Sequence, residues 1–390
     1  MRKLLREVKK LKFVFTIFII WRVNLEFLAW IGKKLFPLRE GFLGPIPWAN
    51  FDGVHYLSIA KNGYYQFQQA FFPLYPLLIR FLGKLLGGNL VLAGMLISNL
   101  SLLGALVLFW KLLETRQIKD KTKKWVIVFF LFFPTSFFFG SLYTESLFLA
   151  LVLGAFLTAR KRKWWLAGIL GALASATKLI GIFLLLAFLW KWFKKNKGNK
   201  NRRAKIWNLR FETWDLFKNW KLEIKNLSAI FLVFLGLLSY MTFLGKTVGD
   251  PFFFIHAQSA FGAERSGGKI ILLPQVYWRY FKIFITVSWY NYDLWIALLE
   301  FIILNFILLL LWLGWRRKLP KSWLLFSLLT VLGPTLTGSL SSIPRYVLVA
   351  FPIFIVIAGF SKKIKYLLFA VCYLLFVVLT ILFTRGFFVS

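Results

Sequence analysis

Apolar residues in this 390-residue chain run in long, nearly uninterrupted blocks. They show neither the strict alternation of a half-buried strand nor the single stripe of a surface helix. The blocks fall at about 11–31, 89–110, 125–141, 146–159, 164–176, 179–192, 228–244, 294–314, 322–338, 346–360 and 366–384. About 20 apolar residues make a helix long enough to cross a bilayer. Backbone in lipid must satisfy its own hydrogen bonds, so such blocks read as helices. The pattern predicts an all-α multispanning membrane protein, a single domain over 1–390 with about 11 transmembrane helices. The first block follows a basic stretch and has no small-residue cleavage site after it, so it reads as an uncleaved span.

The breaks between blocks carry the charge. MRKLLREVKK opens the chain, and KDKTKK (119–124), ARKRK (159–163), WRRK (315–318) and SKKIK (361–365) recur at alternate breaks. Short basic loops are retained on the cytoplasmic side, which places the N-terminus inside and the C-terminus outside. Two substantial segments then lie outside, 32–88 and 245–293, and a basic segment, 191–227, lies inside. Between ARKRK and KWFKKNKGNKNRR there is room only for two short helices, meeting near Thr177 and Lys178. Protein-buried short helices of this kind are tolerated at membrane depth. The inner stretch IWNLRFETWDLFKNWKLEIKNL interleaves aromatics with charges and predicts a helix lying on the inner leaflet.

Composition sharpens this picture. Hydrophobic residues make up 59%, aromatic residues 20% and charged residues only 16%, against about 25% charged in soluble domains. The net charge of +36 is spread over loop breaks, which fits anionic lipid better than nucleic acid. A lone cysteine, Cys372, excludes an internal disulfide. There is no His-Glu-x-x-His and no Cys/His cluster, so no built-in metal site and no cofactor is expected, and these residues leave dependence on a divalent metal open. GKT at 245–247 has Tyr240 where a phosphate loop needs glycine. Neither a dinucleotide fingerprint nor an Asp-x-Asp pair is present, and a nucleotide-sugar donor is set aside.

Candidate chemistry gathers in the outer segments. Both histidines lie there, with Glu40, Asp52, Asp250, Glu264 and Asp293; Glu145 sits at the outer head of the block that follows. In NFDGVHYLSIAKNGYY (50–65), Asp52 opens a short amphipathic helix that Gly63 closes. Asp is a favoured N-cap and Gly a favoured C′ residue, so Asp52 reads as a cap, as a proton acceptor, or as both. The helix dipole favours its anion either way. In AFFPLYPLLIRF (70–81), two prolines precede a second short amphipathic segment. Lys178 at the turn between short helices needs a counter-charge. Arg345, in IPRYVLVAFP (343–352), either snorkels or joins Lys178 in gripping a lipid phosphate.

WANFDGVHYLSIAKNGYYQFQQAFFPLYPLLIR (48–80) resembles the first-loop signature of the second mannosyltransferase of GPI-anchor assembly and its prokaryotic relatives. GSLYTESLFLALVLGAF (140–156), WWLAGILGALASATKLIG (164–181), GDPFFFIHAQSAFG (249–262) and SIPRYVLVAFP (342–352) resemble later blocks, in order. That family belongs to the GT-C class of integral-membrane glycosyltransferases, which use polyprenyl-phosphate sugars on the outer or luminal face and invert the anomeric centre. The resemblance implies that Asp52 is the general base. It places His55, Tyr56, Glu145, His256 and Gln258 at the substrates and Arg345 and Lys178 at the donor phosphate. Thr144 stands where the family has serine, and Lys178 where it has arginine. The implied partners are a polyprenyl-phosphate sugar, a glycolipid or glycan acceptor, and membrane lipids. Two alternatives differ in class: a GT-C enzyme using another sugar or a protein acceptor, and a lipid or glycan transporter. A transporter predicts paired ionisable residues in mid-membrane. Here the acids sit at outer ends, Glu26 and Glu300 excepted, and the enzyme reading is favoured.

Overall fold

The computed structural model of the chain describes residues 2–42, 46–204, 225–262 and 265–389, with the backbone alone for 2–10 and 194–204. Among the described residues all regular structure is helical. The expected inner-leaflet helix over 206–227 falls almost entirely outside the described residues, as does Glu264.

Among the described residues, five helices are long and apolar enough to cross a membrane: Leu11–Leu35, Leu90–Glu114, Lys225–Thr247, Tyr292–Arg316 and Lys362–Thr384. The first of these lies within α1 (Arg2–Leu35), and the second is α4. The other apolar blocks form shorter helices because the chain interrupts them. The block expected over 125–141 is helical only as α5, Asp120–Leu131. Pro134 follows, which disfavours helix at the residue before it, and the backbone resumes as a 3₁₀ turn, Ser136–Gly140. The block at 346–360 is likewise cut by Pro352, leaving the helix Pro352–Ala358 after a 3₁₀ turn.

The pair of short helices expected at 163–190 is present. α7 (Trp164–Thr177) ends at Lys178, whose backbone is extended (φ −152°, ψ 143°), and a 3₁₀ turn Leu179–Ile182 leads into α8, Phe183–Ala204. Gly181 permits the reversal: a Cβ there would sit 2.5 Å from the Ala174 carbonyl carbon and the Ser175 nitrogen. α7 packs directly on the Lys225–Thr247 helix, where a Cβ on Gly168 would collide with the Ala229 carbonyl oxygen. Between helices in lipid, where apolar burial gives little net drive, backbone approach through small residues supplies much of the attraction.

An aromatic-rich core fills the space between α4 (Leu90–Glu114), α5, α6 (Glu145–Arg160) and the 347–358 segment. Phe109, Phe130, Phe139, Phe351 and Phe354 are fully buried there. The ring pairs are mostly tilted or edge-to-face, for example Phe130 on Phe354 at 5.1 Å and 80°. Such pairs supply geometric specificity beyond area burial.

The segment between α1 and α4 carries two short helices, α2 (Asp52–Asn62) and α3 (Leu74–Leu85). Gly63 closes α2 as expected, at φ 90°, with its N–H on the Ile59 carbonyl at 3.0 Å. Arg80 of α3 finishes the same helix end, donating to the Ala60 and Ile59 carbonyls at 2.6 and 3.0 Å.

Candidate active site

The role of Asp52 as helix cap is corrected by the geometry. Phe51 occupies the N-cap position and no side chain caps the helix; Asp52 is the first helical residue. Its Oδ2 instead accepts a hydrogen bond from Arg345 Nη1 at 2.6 Å, across 293 residues of sequence.

Arg345 also reaches a second acid, with Nε 3.3 Å from Glu145 Oε1. Lys178 Nζ donates to that same oxygen at 2.6 Å. Asp52, Arg345, Glu145 and Lys178 thus form one chain of alternating charge, drawn from four separated segments. Their side chains are 26%, 10%, 1% and 11% exposed, respectively, so Asp52 is the member that faces outward. The guanidinium of Arg345 lies over the rings of Tyr143 and Phe138, at 5.4 and 5.6 Å, and the ammonium of Lys178 lies over Tyr346 at 5.0 Å. Rings in these positions stabilise desolvated cations.

Local structure explains how each member is aimed. The segment before α2 is laced to the head of α6. Leu142 N–H bonds the Trp48 carbonyl at 2.7 Å, and the Tyr143 hydroxyl bonds the Asn50 carbonyl at 2.8 Å. Asn50 in turn donates to the Phe383 carbonyl at 2.8 Å. Glu145 is the first residue of α6, where the dipole favours an anion. Phe51 (φ 55°) and Ser342 (φ 70°) hold left-handed backbone just before Asp52 and Arg345. For non-glycine residues this is strained, and such strain persists where the surroundings fix it, often at functional sites.

The electrostatics follow from these contacts. Burial raises the pKa of Asp52, but the charge and hydrogen bond of Arg345, helped by Arg265 and Lys178, outweigh it and hold the carboxyl below its usual range. Asp52 is therefore an anion at neutral pH. Beside it, burial lowers the pKa of His55, partly offset by Asp52. The His55 ring stacks on Phe71 at 5.0 Å, and its Nδ1 lies 3.4 Å from Gln68 Nε2. Tyr56 is buried against Phe71 and Tyr75, and burial with nearby Asp52 raises its pKa, so it stays a neutral phenol. Its placement is one of packing behind Asp52.

The later sequence candidates divide. His256 pairs with Asp250, Nδ1 to Oδ2 at 2.6 Å, and among the described residues no hydrogen bond or ion pair joins this pair to the four-residue chain. Gln258 accepts from Arg265 Nη1 at 3.5 Å, and Arg265 Nη2 also reaches the Ser341 and Ser342 hydroxyls at 3.3 Å. Arg345 and Lys178, read from sequence as phosphate ligands, sit as counter-ions to the two acids. Arg265 is the cation that sequence reasoning overlooked. Its only sequence signal is its place between glycines, in the segment 245–293 that already held His256 and Gln258. Glu300 is a second addition: Tyr280 donates its hydroxyl proton to Glu300 Oε2 and accepts from Leu340 N–H at 3.1 Å, bracing the 338–342 turn that leads to Arg345. Among the described residues, no group of three or more His, Cys, Asp or Glu could hold a metal ion.

The sequence comparisons agree with the resemblance read from the motifs. Glycosyltransferase family 87 matches residues 71–202, a stretch that contains Glu145 and Lys178. GPI mannosyltransferase 2 of Cryptococcus neoformans is 27% identical over 177 residues, covering 41% of this chain and 41% of the relative. The Schizosaccharomyces pombe protein of that name is 29% identical over 147 residues, covering 37% and 32%. That of Drosophila pseudoobscura is 30% identical over 128 residues, covering 27% and 28%. The chain therefore spans less than half the length of these relatives.

Proposed function

We propose that the chain is an inverting glycosyltransferase that moves mannose from a polyprenyl-phosphate donor to a glycolipid or glycan acceptor on the outer face of the membrane. The observation that carries this is the Asp52–Arg345–Glu145–Lys178 chain: a partly exposed carboxylate held ionised by buried cations. Its similarity to proteins named as mannosyltransferases supports the sugar.

In this reading the acceptor hydroxyl lies against Asp52 and gives its proton to that carboxylate as its oxygen bonds to the sugar's anomeric carbon. A base must sit within hydrogen-bond reach of that proton. The bond from the anomeric carbon to the phosphate oxygen breaks, and its electron pair leaves with the phosphate, while the sugar passes through oxocarbenium character. Because Asp52 has a depressed pKa, it is a weak base and takes the proton late, after the carbon has become electron-poor. Arg265 meets the phosphate; its present bonds, at 3.3–3.5 Å, go to neutral groups and are easily exchanged. Arg345 and Lys178 add their field to the developing negative charge.

The test is label transfer by reconstituted protein, given polyprenyl-phosphate [³H]mannose and a membrane extract as acceptor. Wild type should move label and Asp52→Asn should not, while both stay folded at the assay temperature. Equal transfer by the two would remove Asp52 from the chemistry; no transfer by wild type would overturn the donor or the activity.

A further inference from the structure

A cavity lies on the far side of α2 from Asp52, between α2, α3 and the start of α4. Its volume is about 910 Å³. Among the described residues three cations line it, Lys61, Arg80 and Lys84, and no acid does. Ile46, Val54, Leu57, Leu90 and Val91 supply an apolar wall. The resemblance gives none of these lining residues a role, and the proposed transfer reaction uses none of them.

The neighbouring surface indicates what solvent the cavity meets. On α3, Leu77, Phe81 and Leu85 are 56%, 65% and 69% exposed. They recur every four residues and so form one stripe along the helix. Val54 on α2 is also 56% exposed. A short helix with such a stripe beside lysine and arginine lies in the membrane interface, its apolar face among acyl chains. The cations of the cavity then stand at headgroup depth.

We propose that this cavity seats an anionic glycerophospholipid. Its phosphate lies between Lys61 and Lys84, and its acyl chains run along Val54, Leu57 and the Leu77–Phe81–Leu85 stripe. Arg80 contributes charge from a fixed position, since its Nε and Nη2 are committed to the end of α2. Opposite charge, a wall of apolar side chains and a position at the lipid boundary together favour this occupant over a free anion. A bound lipid also presses on the helix whose opposite face carries Asp52 and His55, so it stabilises the frame of the site.

The experiment uses the full chain purified in detergent and delipidated. Thermal unfolding is followed while adding dihexanoyl phosphatidylglycerol, dihexanoyl phosphatidylcholine, a short-chain polyprenyl phosphate or inorganic phosphate. Native mass spectrometry counts the lipid retained. Phosphatidylglycerol should raise the midpoint and remain bound, and the Lys61→Gln/Lys84→Gln pair should weaken its apparent affinity about tenfold. The distant, exposed Lys121→Gln/Lys363→Gln pair corrects for general loss of charge and should leave the affinity within about twofold. An equal response to phosphatidylcholine would overturn the charge argument. A response to inorganic phosphate alone would make this a free-anion site. Retention of polyprenyl phosphate in preference to phosphatidylglycerol would assign it to the carrier lipid instead. Unchanged retention by the Lys61/Lys84 variant would refute the site.

Discussion

Replacing Arg345 with glutamine should unbalance the site in a measurable way. The side chain holds Asp52 at 2.6 Å and approaches Glu145 at 3.3 Å. Removing one partner of a buried ion pair costs roughly 3–5 kcal/mol, mostly for the charge left behind. Asp52 is 26% exposed, so water recovers part of its share, whereas Glu145 is 1% exposed and keeps only Lys178. The low end, about 3 kcal/mol, is therefore expected for Arg345→Gln. Asp52→Asn preserves shape and leaves Arg345 with Glu145, and should cost about 1.5–3 kcal/mol, the range for a hydrogen bond to a charged group. The double variant should be less destabilised than the sum of the two, by a coupling of similar size. Reversible unfolding in mixed micelles at pH 7 measures all four corners. Additivity to within about 0.5 kcal/mol would mean the two side chains do not act as a pair.

The sign of the pH effect follows from the same contact. The folded-state pKa of Asp52 lies below its ordinary value, so its contribution to stability is complete above the unfolded pKa of roughly 4. It is lost as pH falls from there through the lower folded value. Transfer should accordingly show no acid limb from Asp52 at neutral or mildly acidic pH. In Arg345→Gln the limb should move upward, because burial then acts on the carboxyl with less opposition. A limb that stays in place would detach Arg345 from the ionisation of Asp52.

Further predictions address the supporting residues. Arg265→Gln should raise KM for the polyprenyl-phosphate donor about tenfold or more, with partial rescue by Arg265→Lys; an unchanged KM would remove Arg265 from the phosphate. Gly181→Ala should destabilise the chain by about 1–3 kcal/mol by forcing α8 off the end of α7, and should slow transfer because Lys178 is displaced from Glu145; wild-type unfolding would refute the tight reversal. Tyr280→Phe leaves the Leu340 N–H without its hydroxyl partner, and should cost about 1–3 kcal/mol. Its effect on transfer should fall on kcat rather than on donor KM, since the turn aims Arg345.

Much of the frame was legible in the chain. The length of the apolar blocks called for helices, and five of them persist as helices long enough to span a bilayer. The short space between two basic clusters called for a break at Lys178, which is where α7 ends. Gly63 closes α2 because a residue with positive φ was needed there. These are local matters, set by hydropathy and backbone sterics within a few residues. Hydropathy alone predicts continuous helix over 125–141 and 346–360, but Pro134 and Pro352 interrupt those blocks.

The charged site was only half legible. Sequence marked Asp52, Glu145, Lys178 and Arg345 as costly charges near a membrane and asked a counter-charge for Lys178, but it left Asp52 between a cap and a proton acceptor and paired none of the four. Which acid meets which base depends on where the ends of distant helices converge, and no spacing rule reaches across 293 residues. Arg265 was missed for the same reason: nothing local distinguishes it from a solvated loop arginine until the fold brings it near Ser341 and Ser342. The sequence by itself determined that this chain is helical and membrane-embedded, because burial of backbone polar groups in lipid admits few other solutions. Tertiary structure alone decided the pairing of its charges, because attraction in a desolvated site acts through space and is indifferent to order along the chain.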